Sequence, residues 1–309
     1  MQKMFIKEFY CPVCKNNNYF TYKKIISNVR SVAEGLTRRK NEKTELYKCK
    51  QCNLIFTETY FNENILELYS EDNIYSVSDT YNQNELYPLY SNDITKVINK
   101  YNKKSSILEI GCHEGKLLNE LKNVGFKNLL GSEIDSNAAK KATKRGFKVL
   151  IEDIFEINKR KYKFDIIISV AVLEHVKNIS EWINCCNRLL NQNGTLILQF
   201  PNINSLNRYL SQSNWDMFLE TGHIFFPEKK HMNILIEDND FLLKKYFTST
   251  ILIRGKIPFL PGRNNKVEKF IKKLNKKYKL FNLFYLLLIK FLDYFYLGDT
   301  VVYVLKKKS

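Results

Sequence analysis

The chain has 309 residues and a formal net charge of +17, enough length for one large domain and a small one. Only nine of its 49 basic residues are arginine, the side chain suited to bidentate phosphate and guanine contacts, so the charge makes a weak case for nucleic acid. Seven cysteines, four of them in two close pairs, fit metal binding in a reducing cytoplasm and argue against a disulfide framework.

The opening, MQKMFIKEFYCPVC, holds no apolar run of signal-peptide length before the first pair, which points to a cytoplasmic chain. Cys11 and Cys14 (CPVC) and Cys49 and Cys52 (CKQC) have the two-residue spacing of zinc knuckles. Two such turns make a closed tetrahedral site, so Zn2+ here is expected to be structural; a redox dithiol is the alternative. The 34 intervening residues predict a strand excursion, and residues 1–60 read as a zinc-binding module. Residues 61–104 form a Tyr- and Asn-rich connector with an amphipathic helix in SNDITKVINKYNK.

From Ser105 strands and helices alternate as in a parallel sheet with crossover helices. SILEIG, LLGSEI, KVLIED, FDIIISV and TLILQF are short, β-branched and apolar on both faces. GKLLNELKNVG, SNAAKKATKRG and ISEWINCCNRLLNQNG predict the helices between them, the last two ending on left-handed glycines at Gly146 and Gly194. A cap insertion follows over 201–230, then a helix HMNILIEDNDFLLKKY, a strand STILIRGKI, an insertion over 263–298 and a last strand DTVVYVLKKK.

The loop after the first of these strands reads Gly111-Cys112-His113-Glu114-Gly115. Dinucleotide loops bring backbone amides against a pyrophosphate, and Glu109 and Glu114 make this loop a poor cradle for a dianion. It suits a cationic ligand, a sulfonium or an ammonium. With histidine in the middle position, the backbone there is expected to avoid the left-handed region. Glu133, 22 residues beyond Gly111, stands where a carboxylate can accept both ribose hydroxyls, and Asp153 closes the third strand. Ser169 ends the fourth. Read singly, Glu133 and Asp153 are equally well helix caps or solvated strand ends. Cys112 is expected to be a small buried residue behind the loop, and one of Cys185 and Cys186 to face the core.

Together, ILEIGCHEG, GSEID, IEDIF, FDIIISVAVLEHV and GTLILQFPN resemble a class I S-adenosylmethionine-dependent methyltransferase over residues 105–309. The resemblance implies an α/β fold, a Rossmann-like seven-stranded methyltransferase sheet with a small N-terminal zinc-binding domain, and S-adenosyl-L-methionine as cofactor. It implies that Glu109, Gly111, Cys112, His113 and Gly115 surround the methionine end of the cofactor. Glu133 would hold the ribose, Ile134 and Ile154 flank the adenine, Asp153 bond its amino group, and Ser169 line the same crevice. The zinc-bearing start, LYKCKQCNLIFTETY and the tyrosine-rich connection resemble bacterial sugar-modifying methyltransferases. The implied acceptor is a sugar hydroxyl of a nucleotide-sugar or of a surface glycan of capsule or lipopolysaccharide type.

A hydroxyl nucleophile gains from a general base. His223, in the irregular segment after the fifth strand, is the first candidate and His175 the second, while His231 reads as a cap or surface residue. Related oxygen methyltransferases bind a divalent metal through Glu-x-x-Glu-His. Here Ala171 stands where the first glutamate would be, ahead of Glu174 and His175, so a catalytic metal is not expected. Trp215, Phe218, Phe225 and Phe226 read either as a sugar-stacking wall or as cap packing. Within 263–298 a basic run leads into an apolar one interrupted by Lys290 and Asp293, against a spanning helix. That leaves a cap helix, a homodimer face or peripheral contact with the inner face of an anionic membrane. Three other readings stay open: a zinc-bearing RNA methyltransferase, a sugar carbon methyltransferase and a non-catalytic cofactor-binding scaffold. Scarce arginine and the lack of an Asn/Asp-Pro-Pro-Tyr-type motif weigh against the first. The lack of the further C-terminal domain of some relatives weighs against the second.

Overall fold

The computed structural model describes residues 10–26, 43–61, 93–219, 222–250 and 279–308. Most of the connector, most of the STILIRGKI strand and the basic run of the C-terminal insertion lie outside these residues. The predicted strand excursion between the cysteine pairs is a hairpin-like pair, β1 (Tyr19–Ile26) and β2 (Lys43–Cys49), joined by a short β3 (Ile55–Thr57). Residues 93–98 are helical, within the amphipathic stretch, and bury Ile94, Val97 and Ile98.

The doubly apolar runs become a seven-stranded sheet. Five strands are parallel: β4 (Ser106–Ile110), β5 (Asn128–Ser132), β6 (Lys148–Leu150), β7 (Phe164–Val170) and β8 (Leu190–Pro201). Between them run α1 (Lys116–Asn123), α2 (Ser136–Lys144), α3 (Ile154–Asn158) and α4 (Ile179–Leu189). After β8 come α5 (Leu206–Ser211), α6 (Asp216–Leu219), β9 (Phe225–Phe226) and α7 (Lys229–Asp238). The chain then adds β10 (Phe241–Ser249), α8 (Lys279–Tyr294) and β11 (Thr300–Lys307). The strand order is β10-β11-β8-β7-β4-β5-β6, with β11 antiparallel to both neighbours. Because the order reverses at β4, the carboxyl ends of β4 and β7 flank the crevice where ligands of such sheets bind.

Two boundaries, one left-handed residue and one burial differ from the expectation. The helix drawn to Gly194 stops at Leu189, because Leu190 already pairs with Phe164 on β7. The left-handed residue is Asn193, at φ +59; a Cβ on Gly194 would lie 2.9 Å from the Asn191 carbonyl. Likewise HMNILIEDNDFLLKKY is half helix and half strand. Asp240 at φ +56 ends the helical path, and Phe241 begins β10. Cys185 and Cys186 are both buried, rather than one of the two.

β3 pairs with β9, so the small sheet runs β1-β2-β3-β9 and takes its last strand from the segment following β8. Cys11, Cys49, Leu54 and Phe56 share one core with Leu108, Ile167 and Leu198 of the large sheet. Burying a side chain such as Phe56 contributes about 1.5–3 kcal/mol, so this shared core is a substantial attachment between the two sheets.

Candidate active site

β4 ends at the glycine loop, and the N–H groups of Gly111 and Cys112 both donate to the Ser132 carbonyl on β5, at 2.8 and 3.0 Å. A Cβ on Gly111, at φ +71, would meet the Val172 side chain at 2.4 Å. His113 departs from the expectation: it sits at φ +47, inside the left-handed region. Its N–H donates to Glu133 Oε2 at 2.8 Å, while Asp135 N–H donates to Oε1 at 2.9 Å. A charge-assisted bond from the turn to a buried carboxylate offsets the strain, and histidine is among the residues that tolerate this region.

The loop's acids are not alike. Glu114 accepts from Lys141 Nζ at 3.1 Å and Arg145 Nη2 at 3.2 Å, so α2 answers its charge and it does not confront a ligand as expected. Glu109 is 3% exposed, and among the described residues its Oε2 has no hydrogen-bond partner. Burial and then the charge of Glu133 push its carboxyl well above the usual range. Glu133 is also raised, by burial, against the lowering effect of its backbone bonds. Ser169 Oγ, on the strand beside Ile110, is likewise buried without a partner among the described residues. Two unsatisfied polar atoms at adjacent strand ends point to a ligand-binding crevice.

Asp153 caps α3, its Oδ1 accepting from Glu156 N–H at 2.9 Å. Ile134 is 36% exposed, whereas Ile154 is 1% exposed in the main core, so only the first isoleucine offers an open face. Cys112 lies buried behind the loop, and burial raises its thiol. Gly115, at φ +74, precedes α1.

Beyond β7, a 3-10 turn (Leu173–His175) and the segment before β9 bring together three side chains far apart in sequence. One ligand-type atom from each of Glu174, His175 and His223 lies within 4.8 Å of the others. His223 Nε2 is 4.0 Å from Glu174 Oε1, and the two imidazole centroids are 4.7 Å apart. His175 Nδ1 faces the Gly222 carbonyl and His223 Nδ1 the Met217 carbonyl, each at 2.9 Å. A carbonyl only accepts, so each ring carries a proton on Nδ1, and in the neutral form Nε2 carries a lone pair. Burial lowers the His223 pKa to about 4. That keeps it neutral and makes it a weak proton acceptor near neutral pH.

Thr57 of β3 fixes this segment, its Oγ1 donating to the His223 carbonyl at 2.7 Å and its N–H to the Ile224 carbonyl at 3.0 Å. Ile224 N–H in turn donates to the Glu174 carbonyl at 2.7 Å. Sequence reasoning passed over Glu174 as a site residue and Thr57 altogether. A carboxylate beside His175 was the available signal for the first, and nothing local marks the second. Of the two readings of the aromatics, packing is the one seen and the stacking wall is not: Trp215, Phe218, Phe225 and Phe226 are each at most 3% exposed. Trp215, Phe218 and Phe226 pack with Ile25, Leu46 and Ile55 of the small sheet. His231 is a cap but no surface residue. Its Nδ1 accepts from Glu228 N–H and its Nε2 donates to the Cys52 carbonyl, both at 2.9 Å.

The four cysteine sulfurs lie within 4.8 Å of one another, with Cys11–Cys52 and Cys14–Cys49 each at 3.5 Å. Both pairs turn identically: Lys15 and Asn53 have positive φ, and each donates to the carbonyl of its pair's first cysteine.

A reversed parallel sheet with an acidic glycine loop at its switch point defines a Rossmann-like methyltransferase architecture. Residues 83–244, more than half of the chain, match the family described as a methyltransferase domain, and the chain belongs to it. It is an S-adenosylmethionine-dependent methyltransferase. A SAM-dependent methyltransferase from Archaeoglobus fulgidus is 18% identical with a TM-score of 0.50, over 73% of this chain and 97% of that one. The plantazolicin methyltransferase BamL, in complex with a triazolic desmethylPZN analog and SAH, is 17% identical with a TM-score of 0.50, over 74% and 88%. At such identities the likeness is one of fold. No curated protein matches the chain. Among the described residues no helix is long and apolar enough to cross a membrane.

The left-handed backbone at 113 can be tested by substitution. His113→Gly is expected to keep stability within about 1 kcal/mol, whereas His113→Val should cost about 1–2 kcal/mol in urea unfolding. Equal losses in the two variants would contradict the conformation.

Proposed function

We propose that this methyltransferase acts on a sugar hydroxyl of a nucleotide-sugar or surface glycan. The sugar class is supported by the succession of four-cysteine module, tyrosine-rich connection and methyltransferase sheet. A hydroxyl acceptor is supported by the single observation of two carbonyl-pinned imidazoles beside the donor crevice.

The residues present fit the donor. Glu109 and Glu133 put two buried carboxyl groups at the loop whose ionised forms an entering cation would favour, Glu109 Oε2 and Ser169 Oγ lack partners among the described residues, and Gly111 admits no side chain. Glu109, Gly111 and Gly115 would hold the methionine end, with Cys112 and His113 shaping the turn. Glu133 would receive the ribose hydroxyls on lone pairs beyond the two its backbone bonds occupy. Ile134 would cover the adenine, with Ile154 beneath it in the core and Asp153 at the amino group. When bound, S-adenosylmethionine supplies an electrophilic methyl on a good leaving group, so positioning can account for roughly 7–11 kcal/mol of the barrier. His223 and His175 orient the acceptor hydroxyl, each Nε2 being an acceptor for its proton. With a pKa of about 4, His223 aligns this hydroxyl more than it removes the proton.

Cys11, Cys14, Cys49 and Cys52 hold a structural zinc in this reading. Their 3.5 Å sulfur separations are close to the roughly 3.8 Å that a tetrahedral thiolate site requires. Helix α8, with Leu287, Phe291 and Tyr294 exposed, is the part of the 263–298 insertion available for peripheral membrane contact.

Three outcomes test these readings. Tritiated cofactor incubated with separate nucleotide-sugar, glycolipid and RNA extracts should label a sugar or glycan fraction; label in RNA alone would end the sugar assignment. S-adenosylmethionine affinity, followed by calorimetry, should fall as pH drops through the raised Glu109 titration, by at most about one log unit per pH unit, and level off above it. Protonation removes a charge that the sulfonium needs, so Glu109→Gln should flatten the profile. Elemental analysis should find about one tightly held zinc per chain. Cys49→Ser should release it and lower the thermal midpoint by roughly 10 °C or more; an unchanged midpoint would refute a structural metal.

A further inference from the structure

We propose that Glu174, His175 and His223 form a binding site for one divalent cation, distinct from the four-cysteine site. The absence of a glutamate at Ala171 argued against a catalytic metal in the sequence, but His223 arrives from the segment before β9 and completes a different set of three. The ligand types are two imidazoles and one carboxylate, which suit a borderline or hard divalent ion rather than a soft one.

Geometry carries the argument. A point central to three atoms no more than 4.8 Å apart lies within about 2.8 Å of each, so a cation at the usual 2.0–2.2 Å needs only small side-chain rotations. The 4.0 Å gap between His223 Nε2 and Glu174 Oε1 is too long for a hydrogen bond. It matches two ligands facing one ion. Both rings already make the outer bond typical of metal ligands, Nδ1–H donated to a backbone carbonyl, which leaves Nε2 as the ligating atom. Glu174 and His223 are 1% and 3% exposed, while His175 is partly exposed. Three ligands rather than four leave a coordination position for a ligand oxygen, which the four-cysteine set does not.

This deepens the acceptor reading and rests on it. With the cation bound, both Nε2 lone pairs would be taken by the metal. The cation would then replace the imidazoles in orienting the acceptor hydroxyl oxygen, whose proton would pass to water more readily than that of a free alcohol.

Zinc-loaded full-length protein titrated with Mn2+ and followed by electron paramagnetic resonance should show one saturable Mn2+ per chain. His175→Gln, the partly exposed and mildest change, should weaken that binding about 10- to 100-fold; His223→Gln should do the same while zinc content stays constant. No saturable Mn2+ below about 1 mM, or equal affinity in wild type and both variants, would overturn the site. The titration contains no acceptor, so its outcome is independent of the sugar assignment. Label found only in RNA would remove the sugar reading and leave the cation site standing. Sugar methylation undiminished by a chelator, in protein with no Mn2+ site, would do the reverse.

Discussion

Thr57 gives its backbone N–H and its hydroxyl to two consecutive carbonyls, those of Ile224 and His223, and Ile224 passes its own N–H to the Glu174 carbonyl. Three segments remote in sequence meet in that short chain of bonds: the cysteine-bearing sheet, the segment before β9 and the turn after β7. Thr57 is fully buried, so each of these bonds replaces water that cannot enter. His223 is placed beside Glu174 by backbone bonding on both sides of it, and its imidazole is then aimed by the Met217 carbonyl. The site is therefore held mainly by main-chain geometry, which tolerates little drift.

The fold was legible where burial sets a repeating pattern. Doubly apolar β-branched runs such as FDIIISV have one stable use, as central parallel strands, and β7 occupies that run. Errors fell where two periods overlap. Leu242 and Leu243 continue the apolar spacing of α7, yet Asp240 adopts φ +56 and the path becomes β10. Asn193, rather than the following glycine, took the left-handed position because Gly194 had to pass close to the Asn191 carbonyl. At the site, residues tied to one strand end were readable from local sequence: Glu109 and Glu133 follow apolar runs and precede loops. Thr57 was not, since its significance is a contact across 166 positions to His223.

The crevice has two electrostatic characters. At the glycine loop, Glu109 and Glu133 are carboxyl groups under burial, each raised, an arrangement that favours whatever positive charge enters. Glu114, although adjacent in sequence, is removed from that field by Lys141 and Arg145. Toward His223 the side chains are two imidazoles, that of His223 kept neutral by burial, with one buried carboxylate, Glu174. Positive charge is therefore favoured in the first region more than in the second.

Dependence between the two sheets runs in both directions. The segment between β8 and α7 contains only a six-residue α5, a four-residue α6 and a two-residue β9, none long enough to persist unaided. It gains order by packing Trp215, Phe218 and Phe226 on Ile25, Leu46 and Ile55, and by adding β9 to β3. The cysteine sheet, in turn, is too small to enclose a core of its own. Its interior residues Cys11, Cys49 and Phe56 share the core of the large sheet, and His231 at the start of α7 bonds the Cys52 carbonyl. Loss of order in the cysteine knuckles would thus reach His223 through β3, one strand away, while the glycine loop at the far side of β7 would keep its own bonds to Ser132. The N-terminal module is part of the framework that positions His223 beside Glu174 and not an appendage to the enzyme.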